Sequence, residues 1–184
     1  STKMENNTAT QNGGAVYADG SAVTVTIDAS ASLKSNTATI NGGGIYGTNS
    51  ATVTVKGAST VEANKAADGA GLYIHDATGH VIEQSVIKSN EANRQGGALF
   101  GTGHAAVISI SRSEIKQNQA KFGGAVAMKN SSSVKFLDGT NVDENKAAFG
   151  GALWTSDSNI LFSKRTCSLN KANFSGGCTY GTQG

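Results

Sequence analysis

The stretch SNTATINGGGIYG, residues 35–47, decides the fold. An asparagine, an alanine two places on, a run of glycines, then an aliphatic and an aromatic residue would suit a catalytic loop or a phosphate cradle if they stood once. They stand seven times, the other copies reading NTATQNGGAVY, NKAADGAGLY, NEANRQGGALF, NQAKFGGAVA, NKAAFGGALW and NKANFSGGCTY. Their leading asparagines are Asn7, Asn36, Asn64, Asn90, Asn118, Asn145 and Asn170, at successive steps of 29, 28, 26, 28, 27 and 25 residues. Self-similarity at such a period is the mark of a solenoid or array.

The unit has fixed slots. Two positions after each asparagine stands Ala9, Ala38, Ala66, Ala92, Ala120, Ala147 or Ala172. Three positions before it stands an apolar residue: Met4, Leu33, Val61, Ile87, Ile115, Val142, Cys167. Each unit offers three extended stretches. One follows the glycines, as in Ala15-Val16-Tyr17. A second alternates, as in residues 23–27, 52–55, 107–110 and 134–137. The third ends in the apolar-x-x-Asn element. Period-2 alternation marks half-buried strands, and no stretch of useful length shows a 3.6 period.

Three short strands in a unit of ~27 residues match one coil of a parallel β-helix; propeller blades need longer, four-stranded units. The expected fold is all-β: a right-handed parallel β-helix of about seven coils, since parallel crossovers are almost always right-handed. The coils fall at approximately 4–32, 33–60, 61–86, 87–114, 115–141, 142–166 and 167–184 of one continuous domain, 1–184. Stacked coils turn each slot into a ladder. The seven asparagines are expected to pass amide hydrogen bonds from coil to coil and to take the left-handed conformation at a bend. The glycines turn a corner, and Val16, Ile45, Leu72, Leu99, Val126 and Leu153 point inward. One outward ladder checks the register: Glu5, Lys34, Glu62, Lys88, Lys116, Asp143, with opposite charges at every step except Lys88 to Lys116.

Composition narrows the function. The net charge of +2 is spread along the chain, against the clustered Lys and Arg of a nucleic-acid footprint. No apolar run approaches a membrane span, and no secretory signal pattern stands at Ser1. The absence of an initial Met points to a processed chain or an excised segment. Cys167 and Cys178 fit no metal or CxxC spacing; they are either a disulfide or two buried thiols, the former implying an oxidising compartment.

The GGA-aliphatic and apolar-x-x-Asn elements together resemble the repeats of the chlamydial polymorphic outer-membrane proteins, GGA(I/L/V) and FxxN. Gly13 to Val16, Gly96 to Leu99, Gly123 to Val126 and Gly150 to Leu153 carry the first element directly; Met, Leu, Val, Ile or Cys stands where the second has Phe. The resemblance implies a right-handed β-helix, pectin-lyase-like in form, of the kind an autotransporter displays as its passenger. The membrane barrel of that family has no counterpart here.

No enzyme is expected, and no cofactor, catalytic or metal residue is assigned. A polysaccharide-cleaving β-helix needs converging carboxylates or a carboxylate-bound cation. Asp19, Asp76 and Asp157 follow the aromatic slot in coils one, three and six and do not converge. His75, His80 and His104 lie near one turn without an accompanying thiol or carboxylate at ligand spacing. The threonine pairs Thr24/Thr26 and Thr52/Thr54 hint at an ice-binding face but lapse after the second coil.

A binding surface is the other reading. Tyr17, Tyr46, Tyr73, Phe100, Trp154 and Tyr180 form an outward aromatic row broken at Ala127. It can stack sugar rings or pack a partner, or simply shield the strand edge. Sequons stand at Asn6, Asn130 and Asn173, which matter in a secreted eukaryotic chain. No cap closes either end of the repeat, so the expectation is a longer passenger or subunits stacking head to tail into a filament. The expected role is an extracellular or cell-surface structural or adhesive rod, joined end to end or continued by more chain. The alternative is a carbohydrate-binding or carbohydrate-active β-helix with a glycan or host-surface partner.

Overall fold

The computed structural model describes residues 1–77, 80–104, 106–163 and 166–182, with the side chains of His80 and Val81 left aside. It is a parallel β-solenoid wound in the right-handed sense. Every strand pairing is parallel. Three rows of strands run along the rod. The asparagine-side row stacks Lys3–Glu5, Ser32–Lys34, Thr60–Glu62, Val86–Lys88, Glu114–Lys116, Asn141–Asp143 and Thr166–Ser168 in sequence order. The row after the glycines stacks Val16–Asp19, Ile45–Thr48, Leu72–His75, Leu99–Thr102, Val126–Lys129, Leu153–Ser156 and Thr179–Thr182. The alternating row stacks Thr24–Ile27, Thr52–Val55, His80–Glu83, Val107–Ser111, Ser133–Phe136 and Asn159–Phe162.

A fourth row joins these three. The Asn-x-Ala segments pair as Thr8–Ala9, Thr37–Ala38, Lys65–Asp68 and Glu91–Gln95, and again as Lys146–Phe149 with Lys171–Ser175. Single bridges at Gln119 and Phe122 carry the pairing between the two groups. The row is irregular because four or five residues separate the ladder asparagine from the first glycine, and the register shifts after Ala66 and after Ala147.

Register follows the slots. Met4, Leu33, Val61, Ile87, Ile115, Val142 and Cys167 are direct partners from coil to coil. So are Val16, Ile45, Leu72, Leu99, Val126 and Leu153. Both columns feed one continuous core, joined by the alternate residues Val53, Val55, Ile108, Ile110, Val134 and Phe136. Burial of each such side chain contributes ~1.5–3 kcal/mol.

Four corners turn each coil, and each uses positive φ. After the glycine-led row the corner residues are Gly20, Asn49, Asp76, Gly103, Asn130 and Asp157, all types that enter the left-handed region at least cost. Before the asparagine-side row the corner takes Ala29 with Ser30, Gly57 with Ala58, Gln84, Arg112 or Gly139. The corner at the asparagine ladder corrects the expectation above. The left-handed residue is the one before the asparagine: Asn6, Ser35, Ala63, Ser89, Gln117, Glu144 and Leu169. The ladder asparagine is extended and free to use its side chain for hydrogen bonding.

The fourth corner explains the glycine pair. The first glycine, from Gly13 to Gly176, has φ between 57° and 71°. The second packs backbone against backbone: a Cβ at Gly124 would stand 2.3 Å from the Gly151 carbonyl oxygen and 2.5 Å from that of Lys146. The Asn-x-Ala segment and the glycine corner therefore lie back to back in a thin arm. Ala38, Ala66, Ala70, Ala92 and Ala120 fill it as a separate small core.

Candidate functional site

Alternation along the glycine-led row turns its second residue away from the core. Tyr17, Tyr46 and Tyr73 stack there with ring centroids 5.2 Å apart at each step, and Phe100 meets Tyr73 edge-on at 5.3 Å. Tyr17 is 55% exposed, whereas Phe100 and Trp154 are nearly covered at 4% and 8%. Burial, then Tyr46 and Asp68, push the Tyr73 phenol up to about 12.

What covers the far end is a second aromatic column, from the spacer before the glycines. Phe122 stacks on Phe149 at 5.4 Å, and Phe149 on Phe174 at 5.1 Å. Phe122 leans on Trp154 at 5.2 Å and Phe149 on Tyr180 at 5.7 Å. At the same corner the earlier coils carry Asn12, Asn41, Asp68 and Gln95. Asp68 is buried with Oδ2 held 2.6 Å from the Arg94 guanidinium, while Oδ1 is buried without a partner among the described residues. Sequence reading missed the phenylalanines because their slot, four positions after the asparagine, is aromatic only in the last three coils and holds Gln11, Ile40, Asp68 and Arg94 before them. Counting back from the first glycine would have found Phe122 and Phe149.

At Ala127 the outward row loses its ring. Phe122 fills part of the gap from the side and leaves an open cleft of about 330 Å³, lined by Arg94, Gln95, Lys121, Phe122, Lys129 and Trp154. Lys121 Nζ lies 5.5 Å above the Phe122 ring.

The asparagine column is a hydrogen-bonded ladder. In each of the first six coils the asparagine backbone N–H and Nδ2 both donate to Oδ1 of the next, from Asn7 to Asn36 through to Asn145 and Asn170, at 2.9–3.0 Å. Nδ2 also reaches back to the inward residue of the preceding coil, as Asn90 does to the Val61 carbonyl at 3.0 Å. Asn36, Asn64, Asn90, Asn118 and Asn145 are fully buried, so every bond matters.

The charge ladder stacks in the expected register, yet ion pairs form only around Glu62, with Lys34 at 3.8 Å and Lys88 at 3.6 Å. Lys116 turns away from Lys88 to Glu114 on its own strand, 2.5 Å off, and that hydrogen bond raises its pKa. Asp143 accepts from Ser168 instead. Cys167 and Cys178 are bonded as a disulfide that staples the last coil. Asn6, Asn130 and Asn173 are all exposed.

The acidic and histidine candidates scatter. Asp19 stands in register with Thr48 and accepts from Asn49, whereas Asp76 and Asp157 belong to the next corner. His75 bridges Thr48 Oγ1 at 3.2 Å and Asp76 at 3.3 Å. His104 is exposed, and the His80 side chain lies outside the described residues. Among the described residues no group of three His, Cys, Asp or Glu stands placed to hold a metal. No helix among them is long and apolar enough to cross a membrane.

With this geometry in view, residues 1–19 match the model of the Chlamydia polymorphic membrane protein repeat. Those residues span the first apolar-x-x-Asn element and the first Gly-Gly-Ala-Val element, from Met4 to Val16. The chain is a parallel β-solenoid that carries a repeat of this kind. No curated protein and no solved structure gives a match.

Proposed function

We propose that the chain is an extracellular or cell-surface scaffold of structural and adhesive kind, extended by stacking coil on coil, and that it is not an enzyme. The matched repeat is that of a membrane-protein family displayed at the bacterial surface, which supports a surface location. The observation that carries the stacking is the polarity of the asparagine ladder. Among the described residues nothing donates to Asn7 Oδ1 at one end, and the Asn170 backbone N–H finds no acceptor at the other. These two groups are the halves of the bond already made six times inside the rod. Leu169 and Phe174, 72% and 73% exposed, supply apolar area at the same end as Asn170. A further coil, from a second copy or from more chain, would complete the bond; between copies such a contact is heterologous and does not close, so it yields a linear fibre.

Electron microscopy and fibre diffraction of the purified chain test this. Filaments with an axial repeat of ~4.8 Å, the strand spacing, are the expected result. Isolated rods at every concentration up to millimolar would overturn the end-to-end contact.

A further inference from the structure

We infer that the cleft at Ala127 binds an acidic sugar, a uronate residue of a polysaccharide. The inference rests on the adhesive part of the reading above and gives it a site and a ligand class. Phe122 and Trp154, in ring contact with centroids 5.2 Å apart, line one wall of the cleft, in the coil where Ala127 stands in place of the rings of Phe100 and Trp154. Its volume of about 330 Å³ is at the small end of ligand sites, enough for one ring.

Two chemistries meet there. Phe122 and Trp154 line it with apolar ring surface for the C–H face of a sugar. Arg94, Lys121 and Lys129 surround it with positive charge. Arg94 is fixed by Asp68 at 2.6 Å, and its carbonyl accepts from the backbone N–H of both Lys121 and Phe122, which binds the two coils together at the rim. Among the described residues neither Lys121 nor Lys129 has a carboxylate partner, so both ammonium groups are available to an anion. A carboxylate attached to a ring with one apolar face satisfies both features at once. A nucleic acid would need a positive track across several coils, and a net charge of +2 over the whole chain does not supply one.

Trp154 is the one tryptophan of the chain and lines the cleft, so its fluorescence reports occupancy directly. Titration with an oligogalacturonate is expected to give a saturable emission change. The K121E/K129E double variant, with its circular dichroism unchanged, is expected to bind about tenfold more weakly or worse, the size of a lost charge-assisted contact. Phe122→Ala is expected to weaken binding as well, and neutral cello-oligosaccharides to give no signal. The inference is overturned if no saturable change occurs or if the double variant binds as the parent does. Polyglutamate or oligodeoxythymidylate binding as tightly would also overturn it, by reducing the effect to charge alone. Filaments that form normally while the titration fails would remove this site and leave the scaffold intact.

Discussion

The first three coils and the last three share one backbone and present different outer faces. In the first three, stacked tyrosines stand open beside a polar corner column of Asn12, Asn41 and Asp68. In the last three, Phe122, Phe149 and Phe174 take that corner and close over Trp154 and Tyr180. The glycine-led row keeps the same register through both. The repeat thus fixes the path of the chain through a few slots that face inward or turn corners. The slots it leaves unspecified decide whether the outside is wet or sealed, and the cleft beside Phe122 sits where the two regimes meet.

Cutting the scaffold that both regions share has the largest expected effect. Asn90→Ala leaves two buried N–H groups of Asn64, the backbone one and one on Nδ2, without their acceptor, and takes a side-chain donor from the Val61 carbonyl. At ~1–3 kcal/mol for each such group the loss is about 3 kcal/mol or more. Because coils contact only their neighbours, denaturant unfolding followed by tyrosine and Trp154 signals is expected to split into two transitions, the tyrosine-bearing coils melting apart from the rest. A single coincident transition would show that the two regions remain one cooperative unit.

The contrast between faces predicts a smaller difference. Phe149→Ala removes ring contacts to Phe122, Phe174 and Tyr180 at once and is expected to cost about 2–3 kcal/mol, below the ~3–5 kcal/mol of a fully buried Phe truncation, since Phe149 is only partly buried. Tyr46→Ala, on the open face, is expected to cost about 1–1.5 kcal/mol in the same urea titration. Equal losses would erase the distinction drawn above.

The smallest effect is in alkali. The Tyr73 phenol has a folded pKa of about 12 against an ordinary value of 10.0, so the folded state holds its proton longer than the unfolded chain. Its contribution is fully present below pH 10 and declines as pH rises towards 12. Tyr73→Phe is expected to flatten the fall in thermal midpoint over that window, measured against the parent at each pH. An unchanged slope would mean the column is more open at Tyr73 than the stacking implies.

Much of this was legible in the residue spacing. The inward columns, the glycine corners and the charge ladder are read from fixed distances, and they pair as the spacing requires. The conformational role given to the asparagine was misplaced by one residue, because Ser35, Ala63 and Leu169 give no compositional hint of left-handed backbone. Lys116 also escaped the reading: a register column says which residues are neighbours across coils, and Glu114 competes from within the same strand. The phenylalanine column, and with it the cleft, was hidden because its slot four positions after the ladder asparagine holds Gln11, Ile40, Asp68 and Arg94 in the earlier coils. Disulfide or free thiol could not be decided from Cys167 and Cys178 as letters; the chain turns at Leu169 and again at Gly176, which brings the two together across the thin arm.

One interval never varies. From each corner glycine to the next left-handed residue there are seven positions: Gly13 to Gly20, Gly42 to Asn49, Gly69 to Asp76, Gly96 to Gly103, Gly123 to Asn130, Gly150 to Asp157. All differences in coil length fall elsewhere. A single residue added inside this interval would exchange its inner and outer faces, sending Tyr46 into the core and Ile45 into solvent. The same residue added at the later corners would only widen a turn. Mutation by insertion and deletion is therefore filtered by position: the rod can drift in girth on one side while the aromatic side keeps its count.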